Sequence, residues 1–519
     1  MKKGHLVTAA AALAAAAFLP ACPGGGEQAQ APAGGSEAAG TEAGGETAEV
    51  EEIVFAYMTQ NNIPETVDLE RIQNLINEYT EEKINTRVKL VLYSNADYMN
   101  QVNLMLAAGE QVDLFRTQDT SFIPYINDGT ALDITEYLDD ELKETTETIY
   151  NGFLKPTTVA GRTYGIMAMG SNYVPGGFVY RTDIVEELGI DMSQVSSYED
   201  MTDVFAAVKA AYPDMIIIDP NRANALFEGY LGRYKRIDPL GDKIDFSVAG
   251  VVHMDGDPTV VNIYEDPDYI ELCNLTRSWY EAGYFASDAA TTTATTAELL
   301  MSGNCFGTFC GLGNPNIAKQ YQTNYGHPFD NVQLSQSVVW SDSSNAWLVN
   351  SGSKAPAAAC RFLNLLYTDP YLDNLLVYGE EGVDYVLNEE GFAVAPEGYT
   401  DLNSVAYTNN MNYYLWGNKW LTYPVVGGLV GEENQAQMEK NYAGELSPYY
   451  GFLFDYASME AEYTACLNIV NEYKKSLWVG AGDVEETLNE LNGRLESAGV
   501  DELIALKQQQ LDEWLSQQE

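Results

Sequence analysis

From Ile53 onward, short apolar runs alternate with amphipathic stretches, and this alternation restricts the chain to few kinds of fold. The first five segments are EIVFAYM (52–58), DLERIQNLINEYTEEK (68–83), RVKLVLY (87–93), DYMNQVNLMLAAGE (97–110) and VDLFR (112–116). The first, third and fifth are typical of buried strands, whereas the second and fourth place apolar residues on one face of a helix. This order predicts a parallel sheet covered by helices, and hence an α/β fold.

The loops after the first and third predicted strands are the first candidates for a binding site. Sheets of this kind bind ligands beyond the carboxyl ends of their strands. Gln60 and Asn61 follow the first strand, and Arg116, Gln118 and Asp119 stand at the end of the third. All five are residue types whose side chains can form hydrogen bonds with small polar solutes. We therefore expect them to contact a ligand.

Length and charge narrow the class of protein. At 519 residues the chain is too long for one ordinary domain, so two or three lobes are expected. It carries 76 acidic and 27 basic residues, a formal net charge of −49. Such a surface repels phosphate backbones, which excludes nucleic acid as a partner. The charge is typical of a solvated, extracytoplasmic surface and does not itself indicate an acidic or basic substrate.

The N-terminus has the features of an export signal. MKKGHLVTAAAALAAAAFLPAC places two lysines before an apolar run that is too short to span a bilayer. Its end, LPAC (19–22), resembles the lipobox of bacterial lipoproteins, in which the cysteine receives a diacylglyceryl group and becomes the new N-terminus. The resemblance implies a signal peptide over residues 1–21 and lipidation of Cys22. The alternative is a plain signal peptide with an incidental cysteine.

The segment that follows is predicted to be a tether. Residues 23–51 are rich in Gly, Ala, Glu and Thr and contain no Leu, Ile, Phe, Tyr or Trp. Such a segment buries too little apolar area to offset its ordering entropy. We interpret residues 22–51 as a disordered linker that holds a soluble body at the outer face of the cell membrane.

Several segments of the body resemble the extracellular solute-binding proteins of ABC importers, the family that contains maltose-binding protein. They are AAGEQVDLFRTQDT (107–120), INDGTALDITEYLDD (126–140), VAGRTYGIMAMGSNYVPGGFVYRTDIVEELGID (159–191), AELLMSGNCFGTFCGLGNP (297–315) and AWLVNSGSKAPAAACRFLNLLYTDP (346–370). The resemblance implies a two-lobe, periplasmic-binding-protein-like fold of type II with a ligand cleft between the lobes. Lobe 1 would comprise residues 52–168 and 343–378, and lobe 2 residues 169–342.

The remainder resembles a Gram-positive lipoprotein subgroup that is regarded as sugar-binding and carries a C-terminal extension of unknown function. The matching segments are YGEEGVDYVLNEEGFAVAPEGY (378–399), YYLWGNKWLTYP (413–424) and SPYYGFLFDYASMEAEYTACLNIVNEY (447–473). We expect residues 379–519 to form a helical extension packed on lobe 2. The leucine stripes of its last helices, continued by Trp514, are predicted to lie in the core.

Aromatic residues suggest the class of ligand. The chain holds 35 Tyr and 7 Trp, and a sugar site combines flat aromatic platforms with polar side chains. Besides the five loop residues, the predicted ligand-binding residues are Asn172, Tyr173, Asn314, Trp340, Asp342, Trp416 and Asn418. Gly170, Gly176 and Gly177 flank Pro175 at the first crossover between lobes and predict a hinge, although an ordinary turn is the alternative.

Signatures of catalysis and of metal binding are mostly missing. The sequence contains no GxSxG, P-loop or HExxH motif and has three histidines, so we predict no catalytic residue, metal or cofactor. DGDP (255–258) resembles a calcium loop weakly, and a polar turn is the alternative. Cys305 and Cys310 either pair across CFGTFC or remain free, which is favoured.

These features predict a membrane-anchored substrate-binding protein that delivers an oligosaccharide to the transmembrane subunits of an ABC permease. A peptide or another polar nutrient is the alternative ligand. A lipid-anchored, glycan-active enzyme and a structural lipoprotein are the alternative classes.

Overall fold

The computed structural model describes residues 49–118, 120–149, 151–170, 173–244, 247–342, 344–409 and 417–518. The predicted signal peptide, Cys22 and most of the predicted tether lie outside the described residues, as do Asp119, Asn172 and Trp416. Within the described ranges, none of the helices combines the length and apolar composition that a bilayer-spanning segment needs.

The predicted opening of alternating strands and helices builds the first of two main sheets. Its strands lie in the order Thr86–Ser94, Glu51–Thr59, Leu114–Arg116, Ala346–Val349 and Ile166–Met167. The first three are parallel and are joined by the helices Thr66–Ile84 and Tyr98–Ala108. The strand Ala346–Val349 is antiparallel to both of its neighbours. The strand Glu51–Thr59, which lies inside the sheet, is buried along most of its length, as a strand covered on both faces requires.

Helices from the middle of the chain cover this sheet and complete lobe 1. They are Pro356–Thr368 and Pro370–Tyr378, with the shorter helices Ile123–Asn127 and Lys143–Thr148 beside them. Phe55 of the strand Glu51–Thr59 meets Phe362 edge-on, with 5.1 Å between ring centroids, and Trp347 at 5.3 Å. The sheet and helices therefore share one aromatic core, although residues 55 and 362 are far apart in sequence.

The second main sheet forms lobe 2. Its strands lie in the order Phe329–Gln333, Gly176–Arg181, Cys305–Gly311 and Ile216–Ile218. Its helices are Thr182–Leu188, Met201–Ala211, Ala223–Phe227, Pro267–Glu281, Thr296–Met301 and Ile317–Tyr325, with a π-helix at Glu228–Tyr234. Cys305 and Cys310 lie on one strand as free, buried thiols.

The chain passes from lobe 1 to lobe 2 through residues 168–175 and returns through residues 334–345. Val338–Val339 of the return segment pairs with Glu445–Leu446, which brings the C-terminal part of the chain to the same place. The helix Gly431–Tyr442 lies beside the first crossover, where Asn441 Oδ1 accepts the backbone N–H of Tyr173 at 2.7 Å.

The C-terminal part differs from the predicted extension, which was placed wholly on lobe 2. Tyr385, Ala393 and Tyr407 belong to the core of lobe 1, and the Tyr407 hydroxyl lies 3.1 Å from that of Tyr57. The last helices join the core of lobe 2 instead, together with Tyr449, Phe452 and Phe454: they are Glu460–Val479, Val484–Ala498 and Val500–Ser516. The part before residue 426 is thus a component of lobe 1, because its aromatic side chains fill that core.

Candidate solute-binding cleft

A cavity of about 440 Å³ lies between the two lobes. Met167, at the end of a strand in the first sheet, and Gly311, at the end of a strand in the second, both line it. Both crossovers and the C-terminal part also contribute residues to its lining.

Trp340 is the main aromatic surface of the cavity. The guanidinium carbon of Arg233 lies 5.0 Å from the centre of its ring, and Arg233 is held in turn by Glu228 at 2.7 Å. The indole edge lies against Gly232 of the π-helix, where a Cβ atom would be 2.6 Å from Cη2. Glycine at position 232 is therefore required for this placement of Trp340, since any side chain would overlap the ring.

Polar groups surround the aromatic surface. Asn314, Asp342 and Asn345 line the cavity and offer amide and carboxylate groups. Asn345 is held from behind, because Nη2 of the buried Arg116 donates to its Oδ1 at 2.6 Å. Asp342 accepts hydrogen bonds from the backbone N–H and hydroxyl of Ser344 at 2.8 and 2.6 Å. The donors and acceptors are thus oriented before any ligand arrives.

Lys419 brings a cationic group to the same cavity. Its ammonium lies 4.3 Å from the centre of the Trp420 ring, and its backbone N–H donates to the carbonyl of Met169. Burial lowers the pKa of Lys419 to about 8, because the charged form loses hydration. Near neutral pH the side chain is still mostly protonated and can donate to a hydroxyl group.

Comparison with known proteins shows the family of the chain. The sequence profile of "Bacterial extracellular solute-binding protein" matches residues 74–376, more than half of the chain. The chain belongs to this family. A second profile, "Domain of unknown function (DUF3502)", matches residues 448–516 of the solute-binding protein.

Two relatives extend the comparison. The "Carbohydrate ABC transporter substrate-binding protein" of Streptococcus pneumoniae serotype 4 is 26% identical over 466 residues, covering 85% of this chain and 87% of that protein. The crystal structure of the N-glycan transport solute binding protein NgtS from Streptococcus pneumoniae superposes with a TM-score of 0.73. It is 22% identical, and the alignment covers 90% of this chain and 100% of NgtS. The second likeness confirms the predicted two-lobe α/β fold with its helical C-terminal region, and the family places the protein outside the cytoplasm.

The structure of the solute-binding protein brings together four of the predicted residues: Gly170, Asn314, Trp340 and Asp342. Sequence reasoning missed Asn345, Lys419 and Tyr450, which line the same cavity. Lys419 could have been found, since it lies between the predicted Asn418 and the aromatic Trp420. Tyr450 had no such signal, because the fold alone brings it to the cleft.

Other predicted residues of the solute-binding protein do not line the described cavity. Arg116 is 1% exposed and acts through Asn345, and Asn418 is buried with its side-chain N–H on the carbonyl of Tyr367 at 3.1 Å. Four further predicted residues are half-buried or exposed and do not line this cavity: Gln60, Asn61, Gln118 and Tyr173. Polar residue type thus did not distinguish a residue that lines the cavity from one that supports the lining from behind.

Gly176 and Gly177, which were expected in a hinge or in an ordinary turn, lie in a strand instead. They begin the strand Gly176–Arg181, and Gly177 pairs with Cys310 on one side and Gln333 on the other. A Cβ atom at position 176 would lie 2.4 Å from the Tyr198 hydroxyl. These glycines are required by close packing, so the hinge prediction now rests on the crossover segment that contains Gly170.

The acidic and histidine side chains that come together elsewhere are paired within the protein. His253, Asp266 and Asp268 lie close to one another. His253 Nε2 is 2.8 Å from Asp266, and the Lys235 ammonium is 2.9 Å from Asp268. Asp255, in the weak calcium motif, pairs with Arg236 at 2.7 Å. These partners account for the cluster as an ion-pair network.

Proposed function

We propose that the protein captures an oligosaccharide between its lobes and delivers it to an ABC permease. The observation that carries this proposal is the cavity at Trp340, where an aromatic ring and the apolar Met169 and Val339 are surrounded by amide, carboxylate and ammonium groups. A sugar ring has apolar C–H faces and a rim of hydroxyls, and this combination of groups complements both. Contact with both lobes at once favours the closed state.

The relatives support a glycan as the ligand. Two further crystal structures of NgtS, with TM-scores of 0.65 and 0.63, are complexes with Man1GlcNAc and Man5GlcNAc. The carbohydrate ABC transporter protein of Streptococcus pneumoniae points to the same class. These two glycans are therefore suitable probes of short and long ligands.

The geometry favours binding without cleavage. Glycoside hydrolysis by the common mechanisms requires two carboxyl groups that flank the scissile bond. Among the described residues that line the cavity, Asp342 alone carries a carboxylate. An incubation of the protein with Man5GlcNAc should therefore return the glycan intact, and the appearance of shorter products would contradict the proposal.

Titration calorimetry with the two glycans tests the proposal directly. The exchange Trp340→Ala should weaken both by about five- to tenfold, since removal of a half-buried stacking platform costs about 1–1.5 kcal/mol. The matched control is Trp478→Ala, which removes a tryptophan that packs on lobe 2 beside Lys474 and away from the cavity. If no glycan binds and a peptide raises the melting temperature instead, the ligand is of the alternative class.

We also propose that Cys22 carries the membrane anchor. Each buried methylene of an acyl chain contributes about 0.8 kcal/mol, so a diacylated residue holds the protein stably at the membrane. The exchange Cys22→Ser should move the protein from the membrane fraction to the culture medium, whereas Cys466→Ser, a buried thiol in the last part of the chain, should not. Retention of the Cys22 variant in membranes would contradict this anchor.

A further inference from the structure

A second and larger cavity, of about 530 Å³, lies farther along the boundary between lobe 1 and the C-terminal helices. One wall comes from lobe 1, with the helix Ile123–Asn127 and the turn at residues 158–161. The other comes from the last helix, Val500–Ser516, and from residues 451–455. Most of this second wall lies in the region that matches the domain of unknown function.

The two cavities share a wall. Tyr450, Phe153 and Pro156 line the first cavity, whereas the adjacent Gly451 and Lys155 line the second. Gly451 has a φ of 110°, and a Cβ atom there would lie 3.2 Å from the Cβ of Lys155. The absence of a side chain lets the extension approach lobe 1, so that both cavities open along the same boundary.

The second cavity combines aromatic and polar groups, as the first does. Trp514 and Phe452 meet edge-on at 6.0 Å, and the half-buried indole of Trp514 has no hydrogen-bond partner for its N–H among the described residues. Lys155, Glu513 and Gln517 extend exposed side chains around it. An aromatic ring with an available N–H donor and a polar rim suits a sugar better than an apolar ligand.

Hydrogen bonds fix the segment around Asp455, which forms part of the wall of the second cavity. Gln510 makes two bonds to the backbone of Asp455, accepting its N–H at 2.9 Å and donating to its carbonyl at 2.8 Å. Asn127 of lobe 1 donates to the Asp455 carboxylate at 2.9 Å. The wall is therefore held in place without a ligand, which lowers the cost of ordering it on binding.

We propose that this second cavity is a carbohydrate subsite that takes the distal, uncharged sugars of a ligand whose first sugars occupy the cavity at Trp340. This inference rests on the proposed function and gives the domain of unknown function a role in reading ligand length. The rim carries two carboxylates, of Asp455 and Glu513, against one ammonium, of Lys155, on a chain of net charge −49. Such a site disfavours sialic and uronic acids and accepts neutral hexoses and N-acetylhexosamines.

The test compares short and long glycans. The exchange Trp514→Ala should weaken Man5GlcNAc by about tenfold and leave Man1GlcNAc unchanged, because only the long glycan reaches the second cavity. Since Trp514 also packs on the core, a second variant, Gln517→Trp, fills the cavity from an exposed position and should give the same selective loss. Capping the distal mannoses with sialic acid should remove the advantage of the long glycan in the unaltered protein.

Several outcomes would overturn the subsite. One is that both variants bind both glycans with the affinity of the unaltered protein. Another is that the variants bind the short and the long glycan equally more weakly, which would assign Trp514 to the packing of the lobes. Tighter binding of the sialylated glycan would contradict the charge argument. If the unaltered protein binds neither glycan, the proposed function itself fails, and this result is distinct from a selective failure of the variants.

Discussion

The two cavities are built from similar groups but are supported in different ways. At the first, Trp340 and Asn345 are held by buried residues, Gly232 and Arg116, which reach them from lobe 2 and lobe 1. At the second, the rim includes exposed side chains from lobe 1 and from the last helix, namely Lys155, Glu513 and Gln517. A rigid, buried support favours affinity, whereas an exposed rim adapts to ligands of different shape. The first cavity therefore fixes the ligand, and the second discriminates among lengths.

The largest expected effect comes from the exchange Gly232→Ala. Its Cβ would lie 2.6 Å from the indole of Trp340, and overpacking of this kind costs about 3 kcal/mol at the upper end. Urea denaturation should show this loss, and calorimetry should show weaker binding of short and long glycans alike. The matched control is Gly493→Ala in the helix Val484–Ala498, where no atom lies within 4 Å of the new Cβ. That exchange should stabilise the protein by up to about 1 kcal/mol.

A smaller effect is expected for Arg116→Met. The variant removes the hydrogen bond from the Arg116 guanidinium to Asn345, and a hydrogen bond with a charged group contributes about 2 kcal/mol. Affinity for both glycans should fall several-fold because the amide is no longer oriented toward the cavity. If the affinity for the glycans stays constant while the free energy of unfolding falls, Arg116 stabilises the fold alone. The first cavity would then not depend on a buried support from lobe 1.

The smallest effect is a pH dependence that reports on the anchoring of the last helix. Lys507 is fully buried and donates to the carbonyls of Pro239 and Gly250, both at 2.8 Å, and burial lowers its pKa from the ordinary value of 10.5 to about 8. Between these values the unfolded chain binds more protons than the folded one, so the free energy of unfolding rises with pH. The rise from pH 7 to pH 9 should be about 1.4 kcal/mol for this group.

The variant Lys507→Met separates this contribution from that of Lys419, whose pKa is also lowered to about 8. Denaturation at several pH values should show a shallower rise for Lys507→Met than for the unaltered protein. An identical slope would mean that Lys507 binds protons equally in the folded and in the unfolded chain. It would then give no evidence that a buried amine anchors the last helix.

Local pattern predicted the opening of the fold well. Alternating and helical periodicity are properties of neighbouring residues, so the strand Glu51–Thr59 and the helix Thr66–Ile84 were expected close to their true positions. Contacts between distant segments were not accessible in this way. The place of Tyr407 in lobe 1 depends on Tyr57, 350 positions away, and no spacing in the sequence records that pair.

The cavity was also predicted only in part, because segments that are distant in sequence line it. Trp340 and Asp342 lie where a crossover segment was expected, and the cleft is formed by the crossovers. Trp514 continues an apolar helical stripe and packs on the core of lobe 2, but it also lines the second cavity, because it lies near the end of its helix beside lobe 1. Arg116 was expected to contact the ligand, but it is buried. A polar residue at the end of a strand can thus support a residue of the cavity lining from behind.

The hydrogen bond between Asn127 and Asp455 has a consequence for the time that a ligand stays bound. It joins lobe 1 to the extension at 2.9 Å, so the lobes separate fully there only after it breaks. An exposed bond of this strength, about 1 kcal/mol, slows such a separation by roughly fivefold. On the proposed function, the dissociation rate of the ligand is therefore set in part by this pair of residues, which lies outside the first cavity.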